Sequence, residues 1–292
     1  NGTPYLPKSL IKIIAGKYVA GESANKALEI IKFLNNKGFS ATIDILGEHS
    51  KSEHIAKQIT NEYIELYNNI YQLKLDCNIS VKPTHLGLDI SDNVAENNIL
   101  ELLNFANNKN NFLRIDMESS KNTDQTINLY KKCKQISDNA GTVLQAYLYR
   151  SQKDIQNLNK DYQNLNIRLC KGIYKENSTI AIQEKSKIND NFIKILEYSL
   201  KNNIYVAIAT HDLSLIETAY ILINKLKIPN NKFEFQSLYG VPMSGWLERH
   251  IKNKYKVRIY VPFGKDWYDY SIRRLKENPD IAKHVLQNII RK

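Results

Sequence analysis

Two adjacent arginines, Arg273 and Arg274, are the residues of this sequence best suited to hold a negatively charged group. If residues 266–279 are helical, both arginines share one face with Tyr270 and Glu277, at positions i, i+3, i+4 and i+7. Paired guanidinium groups commonly bind a carboxylate or a phosphate in bidentate geometry. The segment therefore predicts an anion site, although by itself it fits a solvated amphipathic helix equally well.

The same segment has the features of a short helix that packs on a core. Asp266 is predicted as its N-cap, and Pro279 ends it. Tyr268, Ile272 and Leu275 recur at i, i+4 and i+7 and form an apolar stripe on the opposite side. One side would anchor the helix while the other presents two guanidinium groups and a phenol.

Polar and charged side chains also recur where short β-prone segments end. They are Lys82, Asp116, Gln145, Arg168 with Lys171, Thr210 with His211, Gln236 and Tyr260. Packing does not require such residues, and an unpaired ion in an apolar interior is very costly. A ligand with several polar atoms, some of them negative, would provide the missing partners.

Some of these residues have alternative interpretations. Lys82 could form a Schiff base, act through its charge, or make an internal ion pair with Asp116. Asp116 and Glu118 alternate onto one strand face, but no histidine or third carboxylate lies at a supporting spacing, so no metal site is expected. His211 is predicted to orient its neighbours by hydrogen bonding rather than to act as a general base.

The spacing of Arg168 and Lys171 sets a condition on the strand that carries them. The two residues differ in parity, so a regular strand would send their side chains to opposite faces. Both can reach one site only if the strand ends or bulges near residues 170–172.

A repeating pattern of strands and helices must position these residues. The predicted strands are residues 40–46, 78–82, 112–117, 142–147, 166–170, 205–210, 232–238 and 256–261. The predicted helices between them are residues 52–73, 95–107, 122–139, 152–158, 179–200, 213–225 and 243–254. Eight strands alternating with helices over about 240 residues predict an α/β protein with a (β/α)8 barrel. A doubly wound open sheet is the competing fold, but no Gly-rich phosphate loop follows any strand.

The chain is predicted to form a single domain over residues 1–292. Residues 1–37 are predicted N-terminal helices, the last of which ends with Gly38 at a C′ position. The barrel would occupy residues 38–278, and residues 279–292 a C-terminal helix. Because the sequence begins at Asn1 rather than Met, a native segment is expected to precede it.

Composition favours a soluble globular protein, with 42% hydrophobic and 24% charged residues among 292. The formal charge of +11 comes from lysines scattered among Asn and Glu, which favours a basic solvated surface over a nucleic-acid site. Three cysteines without metal-ligand spacing favour a reducing cytoplasm. No run approaches the roughly 18 apolar residues of a membrane span, and no signal peptide is visible.

Several motifs together resemble those of a known family. They are ISVKPTHLGLDI, FLRIDMESS, VLQAYLYRS, RLCKGIYKE, IATHD, FEFQSLYG and VRIYVPFGKDWYDYSIRRLKENP. They occur in the order and spacing of proline dehydrogenase, and the sequence resembles the short monofunctional bacterial form rather than the fused proline utilization A protein. The resemblance covers residues 38–278.

This resemblance implies a distorted barrel with a last helix lying over the C-terminal mouth. It implies a flavoprotein with FAD, or FMN, that oxidises L-proline to Δ1-pyrroline-5-carboxylate by hydride transfer to flavin N5. A membrane quinone would reoxidise the flavin, in the first step of proline catabolism to glutamate, and pyrroline-5-carboxylate dehydrogenase would act downstream. The protein would be cytoplasmic with a peripheral contact to the inner membrane.

The resemblance also implies roles for individual residues. The proline carboxylate would be bound by Arg273, Arg274 and Lys82. The pyrrolidine ring would pack against Tyr260, Tyr270 and Leu238, with Asp116 hydrogen-bonding at the site. The flavin would be held by Gln145, Arg168, Lys171, Gly172, Tyr174, Thr210 and His211, and Glu277 would contact this site from the lid helix.

The sequence departs from the family pattern at three places. The family's RLVKGAY reads RLCKGIY here, which leaves Arg168, Lys171, Gly172 and Tyr174 in place. The arginine that often follows this tyrosine in short bacterial forms is Lys175, which keeps the charge but lacks the planar fork that helps to close the site. The usual Leu-Thr after the Lys82 position is Pro83–Thr84, which constrains the local backbone.

Two other functions remain open from the residues alone. A barrel lyase or aldolase could use Lys82 or Lys171 as a Schiff-base lysine. A non-enzymatic basic module could bind nucleic acid or a membrane surface. Neither accounts for polar residues at so many strand ends.

Overall fold

The computed structural model describes residues 16–268 and 270–272. It contains a closed barrel of eight parallel strands in sequential order, with the last strand paired to the first. The strands are β1 Ser40–Ile45, β2 Cys77–Val81, β3 Leu113–Ile115, β4 Ala140–Gln145, β5 Asn166–Cys170, β6 Tyr205–Ala209, β7 Phe233–Leu238 and β8 Val257–Phe263. The predictions for Arg273, Arg274, Leu275, Glu277, Pro279 and residues 279–292 fall outside the described residues. The predicted (β/α)8 barrel is confirmed.

Helices surround the barrel, and each one after the first connects two successive strands. They are α1 Ala24–Asn36, α2 Glu53–Gln72, α3 Asp92–Asn108, α4 Thr123–Ile136, α5 Ser151–Asp161, α6 Lys185–Lys201, α7 Leu213–Lys225 and α8 Trp246–Lys252. Helix α1 precedes β1 and packs against β1 and β8. It ends at the predicted place, where Gly38 adopts a φ of +85° that side-chain-bearing residues rarely adopt.

Most predicted bounds shift by three residues or fewer, and two elements differ more from the structure. The helix expected from residue 179 begins at Lys185, because the Asn177 side chain accepts the Thr179 N–H at 2.9 Å and Ile180 pairs with Tyr149 instead. Strand β3 has three residues rather than six. Beyond β3, the Met117 carbonyl accepts a hydrogen bond at 3.3 Å from the side chain of Gln145 on β4, in place of a backbone ladder bond.

The apolar core lies between the sheet and the surrounding helices. Strand residues such as Ile43, Ile79 and Ile115 are completely buried. Because side chains alternate along a strand, the intervening residues face the barrel interior. Helix starts are fixed locally, as where the Ser52 hydroxyl accepts the N–H of Ile55.

The interior of the barrel is polar from base to mouth. Its inward positions include Thr42, Asp44, Asn78, Ser80, Arg114, Asp116, Arg168, Glu234, Gln236 and Arg258, all buried. Barrels of this type are usually filled by layers of branched aliphatic side chains. Here ion pairs and hydrogen bonds replace those layers, so the interior can hold polar ligands at its ends.

Within the described ranges, we found no helix with the length and apolar character that crossing a membrane requires.

Candidate active site

A cavity of about 530 Å³ opens at the carboxyl ends of the strands. Its walls include Asp44, Lys82, Asp116, Glu118, Gln145, Arg168, Lys171, Gly172, Tyr174, Thr210, His211, Leu238, Tyr260 and Tyr270. Every site residue predicted within the described part of the chain therefore lines this one cavity. This is the end of a (β/α)8 barrel where active sites form.

A buried network around Asp116 crosses the floor of the cavity. Asp116 Oδ1 lies 2.6 Å from Arg168 Nη1, and its Oδ2 accepts the Tyr260 hydroxyl at 3.0 Å. Ser80 donates a further hydrogen bond at 2.6 Å. Burial alone would oppose ionisation, but Arg168 and Lys82 hold the pKa of Asp116 below its usual value. The network thus fixes a carboxylate and a guanidinium at the centre of the site.

The sequence-based alternative of an ion pair between Lys82 and Asp116 is wrong. Lys82 Nζ instead lies 2.6 Å from Asp44 Oδ2, at the end of β1. Asp116 is already paired with Arg168, which lies two strands away on β5, so only the assembled sheet brings the two side chains together. Burial works against the charge, but Asp44 and Asp116 raise the pKa of Lys82 above its ordinary value. A Schiff-base lysine reacts as the neutral amine, so this environment disfavours the lyase alternative.

The strand carrying Arg168 ends where the prediction required. Strand β5 stops at Cys170, and Gly172 follows with a φ of +105°. A Cβ at Gly172 would lie 2.1 Å from the Tyr147 ring, so no larger residue fits there. This turn allows both Arg168 and Lys171 to reach the cavity wall.

On the β6 side, Lys171 pairs with Asp212, whose carboxylate also caps α7 by accepting the Ser214 N–H. Although burial opposes it, hydrogen bonds from Lys171 and Ser214 hold the pKa of Asp212 well below its usual range. His211 Nε2 accepts the backbone N–H of Leu238 at 3.1 Å. The predicted orienting role of His211 is consistent with this bond to the end of β7.

Glu118 is a second buried carboxylate on the cavity wall. It accepts hydrogen bonds from the Thr84 N–H at 2.9 Å and from the Thr84 hydroxyl. Burial raises the pKa of Glu118 to about 7, against the opposing effect of these bonds. The Pro83–Thr84 departure from the family pattern therefore lies in the turn that holds Glu118.

The segment that carries Tyr270 lies beside the mouth. Residues 267–268 and 270–272 are helical, so Asp266 stands immediately before the first helical residue, as predicted. Tyr270 is buried against Val19 and Leu46, with Trp267 packed on the same cluster. The Trp267 indole also donates to Glu22 at 3.1 Å. The N-terminal segment thereby holds the start of this helix at the cavity.

Sequence reasoning missed three acidic residues of the cavity lining and discounted a fourth. Asp44, Glu48 and Asp212 were not proposed, and Glu118 was considered only as a metal ligand. Asp44 carried a usable signal, because it ends a β-prone run just as Lys82 and Asp116 do. No three His, Cys, Asp or Glu side chains group as metal ligands in the described ranges.

The fold and the site define a barrel enzyme whose polar mouth is built to hold charged ligands. A family model described as proline dehydrogenase matches residues 27–287. Proline dehydrogenase 1 of Bacillus subtilis subsp. natto is 38% identical over 278 residues, covering 95% of this chain and 91% of the relative. Proline dehydrogenase of Deinococcus radiodurans is 30% identical over 284 residues, covering 95% and 90%. The chain belongs to the proline dehydrogenase family of oxidoreductases.

Structural comparison agrees with this assignment. A crystal structure of proline utilization A from Bdellovibrio bacteriovorus, inactivated by N-propargylglycine, superposes with a TM-score of 0.84 at 26% identity. The match covers 91% of this chain and 32% of that longer chain. The chain therefore corresponds to about a third of that protein.

Proposed function

We propose that this enzyme oxidises L-proline to Δ1-pyrroline-5-carboxylate with a bound flavin as the hydride acceptor. The C5–H bond breaks as hydride leaves, and the nitrogen loses a proton, so that a C5=N double bond forms. The observation that carries the proposal is a pair of orphaned polar atoms on the cavity wall. Among the described residues, Arg168 Nη2 and Gln145 Oε1 are buried without a hydrogen-bond partner.

These two atoms fit a flavin, whose ring edge carries both acceptors and a donor. An unpartnered buried polar atom costs about 1–3 kcal/mol, so a bound ligand is the natural partner. The residues that would hold the flavin are Gln145, Arg168, Lys171, Gly172, Tyr174, Thr210 and His211, with Glu277 from the lid segment. When bound, the flavin would supply the two-electron acceptor that hydride transfer from proline requires.

Arg168 contributes fixed positive charge where negative charge develops. Its Nε donates to Gln236 at 2.7 Å and its Nη1 contacts Asp116, so the guanidinium cannot turn away. Charge that is already oriented stabilises a transition state without reorganisation. Lys171 would add a second cation at the same wall.

Substrate orientation would come from the opposite side of the cavity. Arg273 and Arg274 would bind the proline carboxylate, and Lys82 would complete the positive field around it. Tyr260, Tyr270 and Leu238 would pack on the pyrrolidine ring and direct C5 toward the acceptor. No catalytic base is assigned, and the amine proton would pass to water.

A membrane quinone is proposed to take the electrons onward, which would require a peripheral contact with the inner membrane from the cytoplasmic side. Pyrroline-5-carboxylate dehydrogenase would then consume the product on the way to glutamate. Reduction of a quinone analogue by the enzyme with L-proline, with and without added vesicles, tests this part separately.

Absorption spectroscopy tests the central proposal. The purified protein should be yellow, and L-proline should bleach it anaerobically while D-proline serves as the control. Chromatography of the released flavin should identify FAD, with FMN as the alternative. A colourless protein that cannot be reconstituted with either flavin would contradict the proposal. Covalent trapping by borohydride with a carbonyl substrate would support the lyase instead.

A further inference from the structure

A second cavity, of about 400 Å³, lies at the opposite end of the barrel. It is bounded by the amino ends of the strands, and its polar walls include Arg114, Asn166, Tyr205, Glu234, Lys256 and Arg258. The space is several times the roughly 30 Å³ that one water occupies in the liquid, so it can admit a small molecule. We call it the base cavity.

Arg114 is the main charged group of the base cavity, and it is 2% exposed. Its Nη1 donates to the carbonyls of Thr142 and Asn166 at 2.9 and 3.0 Å, and its Nη2 to Asn166 Oδ1 at 2.6 Å. All of these acceptors are neutral. Within the described ranges, Nε is buried without a partner and no carboxylate pairs with this guanidinium.

The sheet is built around this side chain. Gly141 lies beneath the guanidinium, and a Cβ there would come 2.3 Å from Nη1 of Arg114. Phe112 stacks on the guanidinium with its ring centre 4.9 Å away. The guanidinium is therefore held in one position, at the end of the barrel where the base cavity lies.

The remaining charges do not neutralise Arg114. Glu234 is committed to Arg258, whose Nε lies 2.9 and 3.1 Å from its two oxygens. Asp76 also lines the cavity, and it accepts a hydrogen bond from Ser40. Lys256 adds an exposed cation at the rim. The lining thus has three cationic and two anionic side chains, an excess of positive charge.

Burial, and then Arg168, lower the pKa of Arg114 to about 9, which still leaves the side chain charged at neutral pH. A buried ion without a counter-ion is unfavourable unless something compensates it. Fixed donors around a guanidinium are the arrangement that binds planar or tetrahedral oxyanions.

We propose that the base cavity binds a small oxyanion, a phosphate or carboxylate group, between Arg114 and Lys256. The side-chain amide nitrogen of Asn166, whose oxygen already accepts from Arg114, would donate a hydrogen bond to the rest of the ligand. This site is separate from the mouth and does not depend on the proposed flavin reaction.

Isothermal titration of the full chain as purified tests the site, with inorganic phosphate as one probe and succinate as the carboxylate probe. Wild type and the control Lys252→Ala, an exposed lysine outside the cavity lining, should bind equally. Arg114→Gln keeps donors but removes the charge, and it should weaken binding roughly 10- to 150-fold. Binding that persists at wild-type affinity would overturn the proposal, because the mouth, whose proposed cations are unchanged in this variant, would then account for the binding.

Chemical labelling gives a readout in the wild-type protein that holds even if Arg114→Gln fails to fold. Acetylation of Lys256, followed by mass spectrometry, should slow as phosphate or succinate saturates, while Lys252 reacts at an unchanged rate. The probe that protects Lys256 better identifies the oxyanion class. Absence of saturable binding by both probes, or binding without protection of Lys256, would overturn the assignment.

Discussion

Arg168 Nη1 and Asp116 Oδ1 lie 2.6 Å apart in the interior of the barrel, and both side chains are about nine-tenths buried. The pair joins the end of β3 to β5 over the intervening strand β4, so it forms only when these three strands have assembled. Arg168 Nη2, which has no hydrogen-bond partner among the described residues, lies in the same polar interior. This single contact therefore links the stability of the barrel to the charge presented at the active site.

Asp116→Asn should destabilise the protein by ~3–5 kcal/mol, because it leaves a buried guanidinium without its carboxylate. Urea unfolding measures this cost. Asp124→Asn is the matched control, since Asp124 pairs with Arg150 at the surface and is 73% exposed. The control should change the free energy of unfolding by less than ~1 kcal/mol. Equal effects of the two variants would show that the Arg168–Asp116 pair does not stabilise the fold.

Tyr260→Phe should lower kcat/KM roughly 10-fold or more while the ring continues to line the cavity, because the charged Asp116 loses a hydrogen-bond donor. Steady-state kinetics with L-proline measure this effect. Tyr67→Phe is the control: that buried hydroxyl donates to the Phe112 carbonyl, away from the mouth. The control should keep its kcat/KM, and a similar loss in both variants would assign the effect to general destabilisation.

Arg274→Ala should raise the KM for proline roughly 30- to 4,000-fold, the scale of ~2–5 kcal/mol for one partner of a buried charged contact. The flavin absorbance per chain should stay unchanged, since the variant removes only a proposed carboxylate contact. Lys252→Ala, at the exposed end of α8, serves as the control. A KM close to that of the wild type would show that Arg274 does not bind the substrate carboxylate.

Glu118→Gln should flatten the dependence of stability on pH. The pKa of Glu118 is raised from an ordinary 4.5 to about 7, so the folded state binds this proton more tightly than the unfolded chain. The tighter proton binding stabilises the folded state by about 3 kcal/mol. This stabilisation is fully present below the pKa of Glu118 in the unfolded chain, and it is lost as the pH rises through the pKa in the folded state. The free energy of unfolding, measured with urea from about pH 5 to about pH 8, should therefore fall less in the variant than in the wild type.

The control for this series is Glu101→Gln, which alters a carboxylate paired with Lys57 at the surface. Its pH profile should parallel that of the wild type. Parallel profiles for Glu118→Gln and wild type would mean that Glu118 does not hold a proton near neutral pH.

Gly172→Ala should lower both the melting temperature and the flavin content. Two effects combine there. The φ of +105° is unfavourable for alanine, and the added Cβ would lie 2.1 Å from the Tyr147 ring. Gly245→Ala separates them, because Gly245 has a φ of +81° but no atom of the described residues lies within 4 Å of an added Cβ. Backbone strain alone costs ~1–3 kcal/mol, and overpacking adds a similar amount. Equal losses in both variants would exclude the Tyr147 contact as a cause.

The order of elements and most of the mouth could be predicted from the sequence. Burial imposes a period of two on strands and 3.6 on helices, so the eight strands and the polar residues at their ends could be identified locally. Lys82, Asp116, Arg168 and Tyr260 all lie on the predicted wall. The turn at Gly172 was also required by the parity of Arg168 and Lys171.

Tertiary structure alone decided which of these residues meet. Lys82 pairs with Asp44 and Asp116 with Arg168, because the register of neighbouring strands and the curvature of the sheet set which strand ends meet. Closure of the sheet encloses Arg114 at the base without a carboxylate among the described residues. Periodicity reports whether a side chain is buried, whereas the register of eight strands determines its neighbours, and that register depends on the whole closed sheet.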